Sequence, residues 1–101
     1  MILEVADIRV AKDHEVEFEA AAHRGLTEIF PRAKGFQGYE IRRSLESSDR
    51  YLLLLRWDTL EDHTVGFRQS PAYAEWRALV GPYFAGAPYV EHFQLCDVTP
   101  K

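Results

Sequence analysis

A single cysteine, Cys96, leaves this 101-residue chain no intrachain disulfide. Its four histidines are scattered with no close His or Cys at metal-ligand spacing, so nothing in the sequence calls for a metal. The six glycines, Gly25, Gly35, Gly38, Gly66, Gly81 and Gly86, never gather into a phosphate loop. A nucleotide cofactor therefore has no cradle. Basic charge is also short: 12 Lys+Arg face 16 Asp+Glu, a net charge of −4, which lacks the footprint that phosphate-backbone binding requires. Nucleic acid is not the expected partner. The longest apolar run, Leu52 to Leu55, is too short for a bilayer, and Met1 opens onto a strand pattern and not onto a signal segment. No membrane contact and a cytoplasmic location are expected, and no Ser-His-Asp arrangement is evident.

What the chain does have is a core. At 47% hydrophobic and 28% charged it has the composition of a folded protein, and its length suits one domain over residues 1–101. Ile2 to Val10 alternates, with Ile2, Ala6, Ile8 and Val10 on one parity and Asp7 and Arg9 on the other, where Leu3 and Val5 are also apolar. This predicts a strand covered on both faces. Asp13 is placed to N-cap a helix with Glu15 and Glu17 in its first turn and an apolar stripe of Val16, Phe18, Ala20, Ala21, Leu26 and Ile29, ending before Pro31. A second strand is expected from Phe36 to Leu45, then a turn at Ser47, Ser48 and Asp49. Tyr51 to Trp57 is apolar on both parities, as a central strand is.

Thr59 with Asp62 reads as a capping-box-like start for a short helix carrying Leu60, His63 or Thr64, and Phe67. Ser70 before Pro71 is an N-cap signal that restarts the helix, which Gly81 and Pro82 stop. The restarted helix carries Ala72, Trp76, Leu79 and Tyr83 on one face, with Tyr73, Arg77 and Val80 beside them. Tyr89 to Val98 alternates as a last strand. The order predicts an α+β fold: a ferredoxin-like antiparallel sheet with helices on one face. Asp13-His14-x-Val16-x-Phe18 is echoed by Asp62-His63-x-Val65-x-Phe67, a hint of duplicated halves. The sheet's open face would carry several of Leu3, Val5, Leu52, Leu54, Phe93 and Leu95, and at roughly 25 cal/mol per Å² its cover is worth several kcal/mol. A homodimer is the expected cover.

The stretch from Tyr51 to Tyr83 resembles the antibiotic biosynthesis monooxygenase family, through the strand ending in Trp57, the His63 helix, Phe67-Arg68-x-Ser70-Pro71 and Trp76-Arg77. The opening ILEVADIRV, Gly35-Phe36-x-Gly38-Tyr39 and Glu91-His92-Phe93 fit as well, so the resemblance spans nearly the whole chain. It implies a dimeric α/β barrel and a choice of chemistries: cofactor-independent oxygenation of polyketide aromatics, quinol oxygenation, haem degradation, or an isomerase-like reaction on signalling molecules. The haem-degrading branch has an Asn on the first strand, a Trp three residues before a Ser, and a His ten residues after that Trp. Aligned on Ser70, this chain has Ala6, Phe67 and Arg77 instead. That branch is set aside.

Oxygenation without flavin or metal asks a protein to accept a proton, stabilise an aryloxide and exclude water. His63 is the candidate base, because the ordinary imidazole pKa suits the task and helical spacing sets it one turn before Phe67. Arg77 stands where the haem branch has its functional residue and is the candidate anion-stabilising group. Arg68, Arg9 and Arg56 are further cationic candidates. Phe67, Tyr73, Trp76, Trp57 and Tyr83 are candidate walls for a planar aromatic ligand, and His92 faces either the pocket or the dimer seam. The plain alternative for each is structural: a satisfied core histidine, ion-paired arginines, packed aromatics. The leading expectation is a monooxygenase acting without cofactor on an electron-rich aromatic, polyketide-like or quinol molecule. Its rivals are a non-catalytic small-molecule binding protein of the same fold and an interaction protein with a vestigial pocket.

Overall fold

Two central strands with apolar residues on both parities decide the architecture of the computed structural model, which describes residues 1–97. Strand β1 (Ile2–Arg9) pairs antiparallel with β3 (Arg50–Trp57), Ala6 opposite Leu53 and Ile8 opposite Tyr51. The edges are β2 (Phe36–Arg43) beside β3 and β4 (Tyr89–Gln94) beside β1, giving the order β2-β3-β1-β4 with every pair antiparallel. Helices α1 (Glu15–Glu28) and α2 (Pro71–Val80) cover one face. The expected ferredoxin-like α+β arrangement is what the chain adopts.

The inner face carries Ala6, Ile8, Tyr51, Leu53, Leu55 and Trp57, which pack against Phe18, Ala22 and Leu26 of α1 and Trp76 and Val80 of α2. The helices approach closely at Gly25, where a Cβ would collide with the Trp76 ring. On the opposite face Leu3 lies beside Phe93 and Val5 beside Leu54, half-buried or exposed within the chain. Among the described residues no helix is long and apolar enough to cross a membrane.

Several local expectations are corrected. Asp13 does not cap α1: it has φ +68°, in a turn closed by the His14 amide on the Ala11 carbonyl, a conformation Asp tolerates. His14 occupies the N-cap without a side-chain bond. Val16 and Ala20 are exposed, and the buried stripe is Phe18, Ala21, Ala22, Gly25 and Leu26. Strand β2 stops at Arg43, before Leu45, because the Ser44 amide turns to the Arg50 carbonyl to close the hairpin. Strand β4 stops at Gln94, where its pairing with Ile2 runs out; Val98 lies outside the described residues. The echoed segments diverge, since His14 is exposed and His63 buried.

The helix after β3 begins as expected, with the Asp62 amide donating to Thr59 Oγ1 at 3.1 Å. It then widens into a π-wound turn (Asp62–Phe67), in which the Arg68 amide reaches back five residues to the His63 carbonyl at 3.1 Å. Such widened turns recur at functional sites because they push side chains out of ordinary α register. Leu60 is left partly exposed while His63 and Phe67 turn inward. Ser70 holds the N-cap position of α2 with Pro71 at N1, but its hydroxyl donates backwards to the Phe67 carbonyl at 2.6 Å instead of accepting from the new first turn.

Candidate active site

Between the sheet and α2 lies a cavity of about 390 Å³, within the range of small-molecule sites. Ala6, Ile8, Leu53 and Leu55 form its sheet side, and Phe30, Phe67, Tyr73 and Trp76 its aromatic side. Phe30 stacks on Phe67 with centroids 4.6 Å apart, and Tyr73 meets Phe67 edge-on at 5.7 Å. Two charged rim residues, Arg68 and Arg77, are exposed. Arg77 Nη1 donates to the Tyr73 hydroxyl at 3.1 Å.

At the buried end stand Glu4 and His63, only 5% and 3% exposed. Glu4 Oε1 lies 3.2 Å from His63 Nε2 and accepts a hydrogen bond from Trp57 Nε1 at 2.9 Å. On its other side, His63 Nδ1 lies 2.7 Å from His92 Nε2. The ring of His63 stacks on Trp57 at 5.2 Å. Glu4, His63 and His92 thus form a line and not a converging cage, because His63 spends one nitrogen on each neighbour. Among the described residues no set of three His, Cys, Asp or Glu is placed to hold a metal ion.

Burial decides the protonation of this line. Removal from water pushes the Glu4 carboxyl up to about 7, against the opposing pull of the Trp57 bond and the Arg68 charge. Burial, then Arg68, then His92, lower His63 to about 3. His92 is lowered for the same reason, with Arg68 adding to it. Together the two carry one proton between about pH 3 and 7, on Glu4, and none above. Near neutrality the group of the pair that gains or loses a proton is therefore the Glu4 carboxyl, with His63 neutral beside it.

The structure brings His63, Phe67, Tyr73, Trp76 and Arg77 onto one cavity, with Arg68. Trp57 does not line it: fully buried behind His63, it holds Glu4. Tyr83 does not line it either, because the turn after α2 carries it toward His14, 6.0 Å away between ring centroids. His92 faces the sheet's helix side, where it meets His63. Arg9 pairs with Asp49, and Arg56 lies on the outer face of β3, so neither reaches the cavity. Glu4 is absent from the sequence-derived candidates. Its signal was present, for it is the one charge on the parity of Ile2, Ala6, Ile8 and Val10.

A family model described as antibiotic biosynthesis monooxygenase matches residues 1–79. The uncharacterized Bacillus subtilis (strain 168) protein YczJ is 42% identical over 94 residues, covering 93% of this chain and 98% of that protein. A Bordetella bronchiseptica structure carrying the antibiotic biosynthesis monooxygenase name is 42% identical, with a TM-score of 0.91, covering 94% of this chain and 96% of that one. SnoaB, a cofactor-independent oxygenase from Streptomyces nogalater, shares the fold at a TM-score of 0.79 and 17% identity, covering 99% of this chain and 97% of that one.

Proposed function

Because the chain belongs to the antibiotic biosynthesis monooxygenase family, we propose that it is a cofactor-independent oxygenase of electron-rich aromatic, polyketide-like or quinol substrates, with the Glu4–His63 pair as its base. The observation that carries this reading is a buried carboxyl-imidazole pair at the closed end of an aromatic-walled cavity. A phenolic hydroxyl at that end gives its proton to the pair. The aryloxide reduces dioxygen, and an oxygen atom bonds to a ring carbon to give a hydroperoxide. Loss of the proton from that carbon breaks the O–O bond, so substrate and O₂ become quinone and water. The captured proton returns from the pair to the peroxide oxygen to complete the hydroperoxide, so it leaves with the ring-carbon proton in the water; His92, half-exposed on the edge strand, holds the other side of His63 at Nδ1.

The outer sheet face supports a homodimer in the same reading. Leu3, Val5, Leu52, Leu54 and Phe93 sit together there, with Phe93 47% exposed, and a second copy covers them at no cost in new sequence. Oxygen consumption against a panel of naphthols and hydroquinones, with and without added flavin or metal, tests the oxygenase. Turnover without additions, lost in Glu4→Gln, is the expected result. Ligand-induced stabilisation with no oxygen uptake across the panel would replace the oxygenase by a binding protein.

A further inference from the structure

Six of the nine arginines in this chain are spoken for. Arg9, Arg24, Arg32, Arg42, Arg43 and Arg50 each lie 2.7–3.6 Å from an Asp or Glu oxygen. Among the described residues Arg56, Arg68 and Arg77 have no carboxylate within 4.0 Å. A shortage of acids is not the cause, since the chain carries four more acidic than basic residues. Arg56 belongs to the outer sheet face, whereas Arg68 and Arg77 line the same cavity. Among the described residues the one carboxyl group on that cavity, Glu4, is occupied by Trp57 and His63. Two guanidinium groups without counter-charge at the rim of an apolar cavity make a locally positive entrance on an acidic protein.

We propose that the natural ligand is an aromatic hydroxy acid, a planar hydroxylated ring system whose carboxylate is held by Arg68 and Arg77. The direction of the hydroxyl, inward to Glu4 and His63, rests on the oxygenase reading above; recognition of the carboxylate does not. Planar guanidinium forks match a carboxylate in shape and donor spacing. Tyr73 fixes one of them, because its hydroxyl accepts from Arg77 Nη1 while its ring packs on Phe67. Phe67, Tyr73 and Trp76 supply the faces on which the rings stack.

The test is equilibrium binding of two matched probes, 6-hydroxy-2-naphthoic acid and its carboxamide, followed by naphthol fluorescence in low salt. They share rings and hydroxyl and differ in charge. The wild-type protein is expected to bind the acid at least about tenfold more tightly than the amide, the scale of a charge-assisted bond. The preference should shrink in Arg68→Met and in Arg77→Met, vanish in the double variant, and persist in Arg56→Met. Rising salt should erode it in the wild type, a readout that needs no variant to fold. Equal affinities, tighter binding of the amide, a preference untouched by both substitutions, or no saturable binding of either probe would overturn the proposal. Oxygen uptake is measured apart. Acid preference without turnover sinks the oxygenase and keeps the acid ligand; turnover of neutral naphthols without acid preference does the reverse.

Discussion

Glu4 Oε1 lies 3.2 Å from His63 Nε2, and both residues are withdrawn from water by the same sheet-and-helix interface. A strand residue thereby meets one 59 positions later through the register of β1 on β3, which brings Trp57 opposite Ile2 and leaves its indole nitrogen on the Glu4 oxygen. The pair accounts for most of what the site is expected to do.

If the pair is the base, kcat/KM for a phenolic substrate rises with pH through about 7, the value to which burial pushes Glu4. The proton-free form is the active one, so the rate is low on the acid side. Glu4→Gln and His63→Ala should each lower turnover by roughly 10², the usual scale of a general base. A variant profile that keeps the wild-type rate and inflection removes the pair from the chemistry.

The pair also predicts how Glu4→Gln changes stability. Glu4 is raised from its ordinary 4.5 to about 7, so the native state keeps a proton that the unfolded chain has released. That contribution is fully present below about pH 4.5 and is lost as pH rises to about 7. His63 has the opposite sign: lowered from 6.5 to about 3, it favours folding above 6.5 and loses that contribution as pH falls toward 3. The two oppose one another between 4.5 and 6.5. Glu4→Gln removes only the first, so stability of the variant relative to wild type should climb with pH across this window, by roughly 1 kcal/mol per pH unit. Urea midpoints at three pH values decide it, and a pH-independent difference contradicts the raised carboxyl.

Gly25→Ala sets two effects against each other. Alanine gains about 1 kcal/mol of helix propensity over glycine, but the new methyl group meets the Trp76 ring, an overpacking cost of about 1–3 kcal/mol. A net loss of stability with altered tryptophan emission is expected. A stabilised variant with unchanged emission would show that the ring yields freely.

The Ser70 hydroxyl ties the end of the π-wound turn to the start of α2. Removing it in Ser70→Ala should cost about 1 kcal/mol, the net worth of one hydrogen bond. Thermal unfolding of Ser70→Thr, which keeps the donor, should stay nearer the wild type; equal losses in the two variants would assign the effect to packing.

Leu54→Asp places a charge in the middle of the outer sheet face, opposite Val5. The wild-type chain should sediment as a dimer at micromolar concentration and the variant as a folded monomer. A wild-type monomer defeats the homodimer.

The strands and the inward aromatic stripe were legible in the sequence because each depends on local periodicity, with both parities of Tyr51 to Trp57 apolar and His63 and Phe67 recurring within one turn, and the antiparallel sheet followed from the order of strands and helices. Several finer features were not. Asp13 is an excellent cap by residue type, yet the turn closed by Ala11 and His14 takes it into the left-handed region. Ser70 has the right position, but the Phe67 carbonyl competes for its hydroxyl. Tyr83 belongs to the helical pattern until the turn at Gly81 and Pro82 carries it off the cavity. Glu4 is the sharpest case. Sequence alone shows an acid on an apolar parity, whereas its partners Trp57 and His63 and the loss of water that reshapes its acidity come from strands and a turn far away in the chain. Periodicity fixes which face a side chain takes; only the assembled tertiary structure decides what it meets there and how much solvent it loses.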